Sequence, residues 1–360
     1  MTVTRLDGAP KIAYRPAMGK RATVAIVLAL LGLAGFAAQS AGAAERVDLA
    51  RACWPAEALA QRPGEKTVRR DPAARGGPPA VEQAPTVPVD ANRRGAIRRV
   101  ELPPGRKLVA LTFDFCEQPG EVAGYDGAII DILRAANVRA TLFFGGRWMT
   151  THADRARQLI ADPRFEIASH GWAHRNVRLL SGRALTEEIT GPSAAYAVRR
   201  QELGRMQCAA PHLISVPARI TLTRFPFGAC NAAALQATAE AGLLAIQWDV
   251  STGDPSPGQS AAAIADVIVR QTRPGSIILG HANGRGHHTA EALPGAIDRL
   301  KARGFEFVTV SELLAAGRPV VTDTCYDAKP GDTDKYDFFD GAQAARTERR
   351  NGWTPTTVPR

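Results

Sequence analysis

The stretch Lys107–Phe115, KLVALTFDF, carries the first clear strand signal in the chain. It is short, apolar and rich in strand formers. After a polar loop comes DGAIIDILRAANV (126–138), whose apolar residues recur at helical spacing, so the pair predicts a strand followed by a helix. Further along the chain, RATLFFGG (139–146) repeats the strand pattern, ADRARQLIAD (153–162) the helix, and FEIASHG (165–171) the next strand. LLAIQWDVS (243–251), SIILGHA (276–282) and FEFVTVSELL (305–314) read as later strands, separated by helix-like AALQATAEAG (233–242), SAAAIADVIVRQ (260–271) and LPGAIDRLKARG (293–304). Strands alternating with helices over this length predict an α/β fold whose parallel sheet is open or closed into a barrel.

Composition narrows the class. With 360 residues, 45% of them hydrophobic and 22% charged, the chain can bury one large core or two modest ones and is not wholly disordered. Its 33 glycines and 25 prolines exclude a coiled coil, and they lack the three-residue period of collagen. A net charge of +10 would point to a polyanionic partner if it were spread over the folded part. It is not spread there. Residues 1–44 hold five basic and one acidic side chain, residues 45–107 thirteen and eight, and residues 108–360 twenty-seven and twenty-six. The basicity belongs to the leader and the linker, residues 1–107, which argues against a nucleic-acid partner.

Between Lys20-Arg21 and Ser40 the sequence is almost wholly apolar, and the small residues Ala41-Gly42-Ala43-Ala44 follow. A basic start, an apolar run and small residues predict a signal peptide over 1–44 and a periplasmic or secreted product; an uncleaved N-terminal anchor is the alternative and the one route to a membrane. Residues 45–105 read as a Pro/Arg-rich linker or surface wrap, 106–317 as the folded domain, and 318–360 as a polar, loosely held tail. The five cysteines, Cys53, Cys116, Cys208, Cys230 and Cys325, allow up to two disulfides with one thiol left over. Cys208 with Cys230 is the favoured pair, because they bracket a segment ahead of Arg224; the alternative is that some cysteines stay reduced and buried.

In α/β architectures the polar residues just beyond the carboxyl ends of strands line the site. Asp114, His170, His174, Arg224, Asp249 and His281 all fall at such ends. His170 and His174 are four apart, and two imidazoles at that spacing converge on one metal ion if the segment takes a helical turn; packing is the plain alternative. Asp114 has no basic neighbour in sequence and follows a strand that reads as buried, so its charge needs a metal or an arginine brought in by the fold. Arg224, in Arg224-Phe225-Pro226-Phe227-Gly228, is the candidate partner.

These residues form a pattern that resembles the polysaccharide deacetylases, carbohydrate esterases of the NodB homology type. The likeness covers roughly residues 106–317 and rests on five motifs in order: Thr112-Phe113-Asp114, His170-Gly-Trp-Ala-His174, Arg224-Phe-Pro-Phe-Gly228, Trp248-Asp249 and Leu279-Gly-His281. The resemblance implies a distorted (β/α) barrel with extended or disordered terminal segments. It implies a hydrolase that removes acetyl groups from N-acetylated sugars of a polysaccharide or oligosaccharide with a divalent metal, zinc by preference. By the same resemblance, Asp114 is the general base, His170 and His174 are metal ligands, and His281 is the acid that protonates the leaving amine. Arg224 orients Asp114, Asp249 holds Arg224 or tunes His281, and the backbone N–H near Phe227 helps stabilise the oxyanion.

The chain departs from the family where a second aspartate normally supplies the third metal ligand, since Phe115 stands there. Glu117 is the first substitute, with Asp126, Asp114 itself, or a site with weak or no metal as alternatives. The last leads to a catalytically lapsed sugar-binding protein of the same fold, and a deacylase for O-acetyl or non-sugar C–N substrates is a further rival. Trp148 and Trp172 are candidates either for stacking on a pyranose ring or for core packing. His287 and His288 read as a solvated loop, and His152 and His212 as structural or exposed. The long stretch from Pro192 to Thr223 reads as a lid or a substrate-selecting insertion.

Overall fold

The structure is a computed structural model that describes residues 47–83, 85–327 and 329–337. The predicted signal peptide at 1–44 lies outside the described residues, and so does most of the polar tail. No helix among the described residues is long and apolar enough to cross a membrane.

Among the described residues twelve strands occur in chain order: β1 (Arg69–Arg70), β2 (Ala96–Glu101), β3 (Leu108–Phe115), β4 (Glu121–Val122), β5 (Ala140–Phe144), β6 (Phe165–Ser169), β7 (Leu222–Thr223), β8 (Leu244–Ile246), β9 (Val250–Ser251), β10 (Ile277–His281), β11 (Glu306–Val308) and β12 (Arg318–Thr322). β1 and β4 make a small antiparallel ribbon. The other ten form one sheet in the order β12-β2-β8-β7-β6-β5-β3-β10-β9, with β11 also pairing with β3. Within it every pairing is parallel except that of β12 with β2. The sheet curls back on itself: Val100 of β2 donates its N–H to the Gly275 carbonyl at 2.9 Å, and Arg99 bridges to Ser276, just ahead of β10. This is the expected α/β fold, a distorted barrel whose closure is irregular.

The two strands at its centre are fully buried along their length, LVALTFDF in β3 and ATLFF in β5. Such unbroken apolar runs belong to parallel strands with both faces covered. The crossover helices are punctuated by their own caps. Ser260 accepts from Ala263 N at 3.2 Å to start Ala261–Gln271, Asn231 accepts from Ala234 N at 2.9 Å to start Ala232–Glu240, and Thr309 and Glu312 form a capping box at Val310–Ala316.

Three expectations about the periphery are corrected. Residues 45–105 are not simply a linker or wrap, because Ala96–Glu101 supplies a strand to the main sheet and Leu49 and Ala50 are buried in the core. The tail is not loosely held at its start: Arg318–Thr322 pairs with β2, and Cys325 is bonded to Cys230. The second disulfide joins Cys53 to Cys208, so Cys208–Cys230 does not form, and Cys116 is the buried free thiol. The favoured pairing assumed a local loop, whereas both bridges tie distant terminal segments to the barrel.

The stretch after Pro192 begins as helix rather than as a loop. Pro192 lies inside the long helix Gly182–Gly204, which packs against the helices Gly146–Thr151 and Ala153–Ala161, and Ala210–Ser215 is a short 3-10 turn beyond it.

Candidate active site and metal centre

The parallel register delivers the chemistry to one rim. Asp114 and His281 are paired neighbours at the ends of β3 and β10, His170 follows β6 directly, and Arg224 follows β7. Asp114, His170 and Arg224 are all buried. Arg224 Nη1 donates to Asp114 Oδ1 at 2.8 Å, its Nε to the Ile246 carbonyl, and its guanidinium lies 4.0 Å from the Phe143 ring centroid. Burial works against ionising Asp114, yet His170 and Arg224 beside it outweigh that and hold its pKa below the ordinary carboxylate value.

His170 Nδ1 donates to the Arg224 carbonyl at 3.0 Å, which leaves Nε2 as the lone-pair nitrogen, 3.5 Å from Asp114 Oδ2. His174 meets it with ring centroids 5.0 Å apart. The segment between them is not the helical turn expected. It bends through Gly171 at φ +73° and His174 at φ +52°, the left-handed region that a non-glycine residue adopts only when its surroundings enforce it. Glu188, buried in the helix Gly182–Gly204, does the enforcing. Its carboxylate accepts from Ala173 N at 3.1 Å and Arg175 N at 2.9 Å, and a Cβ on Gly171 would come within 2.5 Å of its Oε1.

The third member of the cluster is Cys116. One ligand atom each from Cys116, His170 and His174 lies within 4.8 Å of the others. Strand alternation explains why: Asp114 and Cys116 share one face of the chain, and Phe115 points the other way. Phe115 is fully buried against Phe144 and Trp148, with centroids 4.9 and 4.6 Å away. Glu117 follows Phe115's side and is no ligand. It is buried, and Oε2 accepts from Ala123 N at 3.0 Å and Thr151 Oγ1 at 2.8 Å. Asp126 is turned to Lys66, 2.8 Å from its ammonium.

The residues present fit a divalent cation. Nδ1 of His174 is buried with no hydrogen-bond partner, His170 presents a free lone pair, and two imidazoles with a thiolate are a donor set for a zinc-like ion. Burial opposes ionisation of the Cys116 thiol, but the imidazoles of His174 and His281 outweigh it and bring its pKa down to about 7.

His281 has a partner that the sequence reading missed. Its Nδ1 and its backbone N–H both reach the buried Asp254, at 2.8 Å each, and Thr289 Oγ1 donates to the same carboxylate at 2.8 Å. Burial disfavours the imidazolium, yet Asp254 outweighs that and raises the pKa of His281 well above its ordinary value. Asp249 neither holds Arg224 nor tunes His281. It accepts from Ile277 N at 2.9 Å, Ser276 Oγ at 3.0 Å and Arg273 Nε at 3.3 Å, ahead of β9 rather than beyond it.

Phe227 has φ +61°, and its ring lies 4.6 Å from that of His174. Trp148 and Trp172 are buried, the former donating Nε1–H to the Gly124 carbonyl, so neither is a sugar platform. His152 stacks on Trp148 and is partly buried, and that desolvation pushes its pKa down to about 4; His288 is exposed and pairs with Glu291.

A family model described as polysaccharide deacetylase matches residues 101–246. A chitooligosaccharide deacetylase of Sinorhizobium fredii is 30% identical over 178 residues, which cover 49% of this chain and 73% of the relative. The chain belongs to the polysaccharide deacetylase family. A peptidoglycan-N-acetylglucosamine deacetylase of Bacillus cereus is 28% identical over 60% of this polysaccharide deacetylase and 71% of its own length. A Listeria monocytogenes relative of the same description is 28% identical, and this chain spans only 39% of it. Among solved structures, a peptidoglycan N-acetylglucosamine deacetylase superposes with a TM-score of 0.51 at 24% identity, covering 62% of this chain and 94% of the other; it shares the fold. As a polysaccharide deacetylase the protein is a hydrolase of carbon–nitrogen bonds other than peptide bonds.

Proposed function

We propose that the protein is an exported, zinc-dependent deacetylase of N-acetylated glycans, acting on peptidoglycan or chitooligosaccharide chains. The observation that carries this reading is the meeting of Asp114–Arg224, the Cys116–His170–His174 cluster and His281–Asp254 at one rim of the barrel. Export is supported by the leader sequence and by two disulfides, which persist in oxidising compartments.

Cys116, His170 and His174 would hold the ion, which when bound supplies an acidified water and polarises the acyl oxygen. The chain's own groups do the rest. Asp114, kept ionised by Arg224, takes the proton of the attacking water at its Oδ2. His281, kept protonated by Asp254, gives a proton from Nε2 to the departing nitrogen, which would otherwise have to leave as a strongly basic amide anion. Arg224 keeps Asp114 turned towards His170, and the oxyanion donor in this reading is the backbone N–H of Phe227, whose ring lies beside His174. The products are acetate and a glucosamine-type residue. The lapsed-enzyme rival started from the missing second aspartate, and Cys116 removes that motive by offering a donor.

The test is acetate release from chitooligosaccharides, peptidoglycan fragments and O-acetylated xylan, before and after chelation. The reading expects release from the first or second that chelation abolishes and zinc restores. No release from any N-acetylated glycan by the zinc-loaded protein contradicts it.

A further inference from the structure

A strap formed by residues 323–327 and 329–337, outside the family-matched segment 101–246, is fastened to loops of this site. It is fastened at several points. Cys325 is bonded to Cys230, three residues beyond Phe227. Arg98 donates to the carbonyls of Cys325 and Tyr326 and to Asp327. Asp337 accepts from Asn176 Nδ2 at 2.8 Å and Arg178 Nη2 at 2.7 Å, and Arg178 also binds the Thr333 carbonyl at 3.0 Å and Asp334 at 2.9 Å. Asn176 and Arg178 lie two and four residues beyond His174. The strap therefore ties together the two loops that carry His174 and Phe227.

What these fastenings position is Tyr336. Its ring stacks on Phe227 with centroids 5.6 Å apart and planes 28° from parallel, and Phe227 in turn meets His174. Both aromatic side chains are only partly buried, in a molecule whose tryptophans at 148 and 172 are committed to the core. The ammonium of exposed Lys335 lies 5.0 Å from the Tyr336 centroid. Aromatic faces pack on the apolar C–H faces of pyranose rings. A partly exposed aromatic row leading outward from a candidate metal ligand, pinned by a disulfide and an arginine cluster, is a rigid surface of that kind.

We propose that Tyr336 and Phe227 form a sugar-binding shelf, with Tyr336 a specificity-determining residue that takes the pyranose ring flanking the one that is deacetylated. This rests on the glycan reading of the site. The shelf touches substrate only in longer chains, so its energy is expressed in binding rather than in the chemical step.

The experiment measures acetate release and glycan affinity for the full-length zinc-loaded protein, Tyr336→Ala and Tyr336→Phe, with N-acetylglucosamine oligomers of increasing length. Tyr336→Ala should raise KM for the tetramer about 3- to 10-fold with kcat within about twofold, leave the shortest substrate that is turned over unaffected, and leave zinc content unchanged. Tyr336→Phe, which keeps the ring, should recover most of the loss. Asp337→Ala, which loosens the strap without altering the shelf, should give an intermediate KM. An unchanged tetramer KM in Tyr336→Ala overturns the proposal, and so does an equal loss on every chain length. If wild type releases no acetate, the deacetylase reading fails by itself; calorimetric binding of the tetramer then judges the shelf, weakened by Tyr336→Ala if the shelf exists and unchanged if it does not.

Discussion

His281 is held by Asp254 and not by Asp249: Nδ1 of the imidazole lies 2.8 Å from Asp254 Oδ1, and the backbone N–H of the same residue reaches Oδ2 at the same distance. A carboxylate in that position fixes the ring with Nε2 towards the site and favours the imidazolium, as a proton donor requires. Replacing Asp254 with Asn removes the charge that raises the pKa of His281. The protonated form is the active one, so the alkaline limb of the kcat/KM profile should move to lower pH, and activity at neutral pH should fall about 100-fold or more. Asp249→Asn should leave that limb where it is, because the Asp249 carboxylate is committed to Ile277, Ser276 and Arg273. A pH–rate profile of the three proteins checks both.

Asp114→Asn should remove activity by roughly 10²- to 10⁴-fold, the usual contribution of a positioned general base. It should also cost stability. Arg224 is fully buried, and a neutral partner leaves its charge uncompensated, at about 3–5 kcal/mol. Denaturant unfolding of the variant checks this, and an unchanged midpoint would mean that the pair does not carry the burial of Arg224.

Glu117→Gln should leave metal content unchanged, since Glu117 faces Thr151 and Ala123. Burial raises its pKa from 4.5 to about 6. The folded state therefore binds the proton more tightly than the unfolded one. Its stabilising contribution is complete below pH 4.5 and is lost as pH rises through 6, a difference of about 2 kcal/mol by pH 7. Glutamine mimics the protonated acid and can keep both hydrogen bonds at the Oε2 position. Unfolding curves at pH 4 and pH 7 should show the variant gaining on wild type only at the higher pH.

Much of the site was legible because parallel strands end where polar residues begin. Asp114, His170, Arg224 and His281 announce themselves by interrupting apolar runs, and the register of β3 with β10 and of β6 with β7 brings those interruptions to one rim. Cys116 was hidden by its chemistry, because in a chain with an export leader a cysteine reads first as half of a disulfide. The signal that could have found it was the two-residue period of a strand, which puts Cys116 on the face of Asp114 and sends Glu117 with Phe115 into the core. Asp254 was obscured by Asp249. Where a strand starts after a turn decides which of two nearby acids stands beyond its end, and Val250–Ser251 is too short for its boundary to be read from periodicity. Glu188 gave no signal at all. It lies on a helix of weak amphipathic pattern, and only the packing of that helix shows its carboxylate filling the turn between the two histidines.

The most direct test of the account is X-ray absorption at the zinc edge of the zinc-loaded protein, with Cys116→Ser alongside. A cation held by Cys116, His170 and His174 predicts one sulfur neighbour at about 2.3 Å and imidazole nitrogens at about 2.0–2.1 Å, with the sulfur shell lost in the variant. A spectrum of nitrogen and oxygen neighbours only, identical in both proteins, would contradict it.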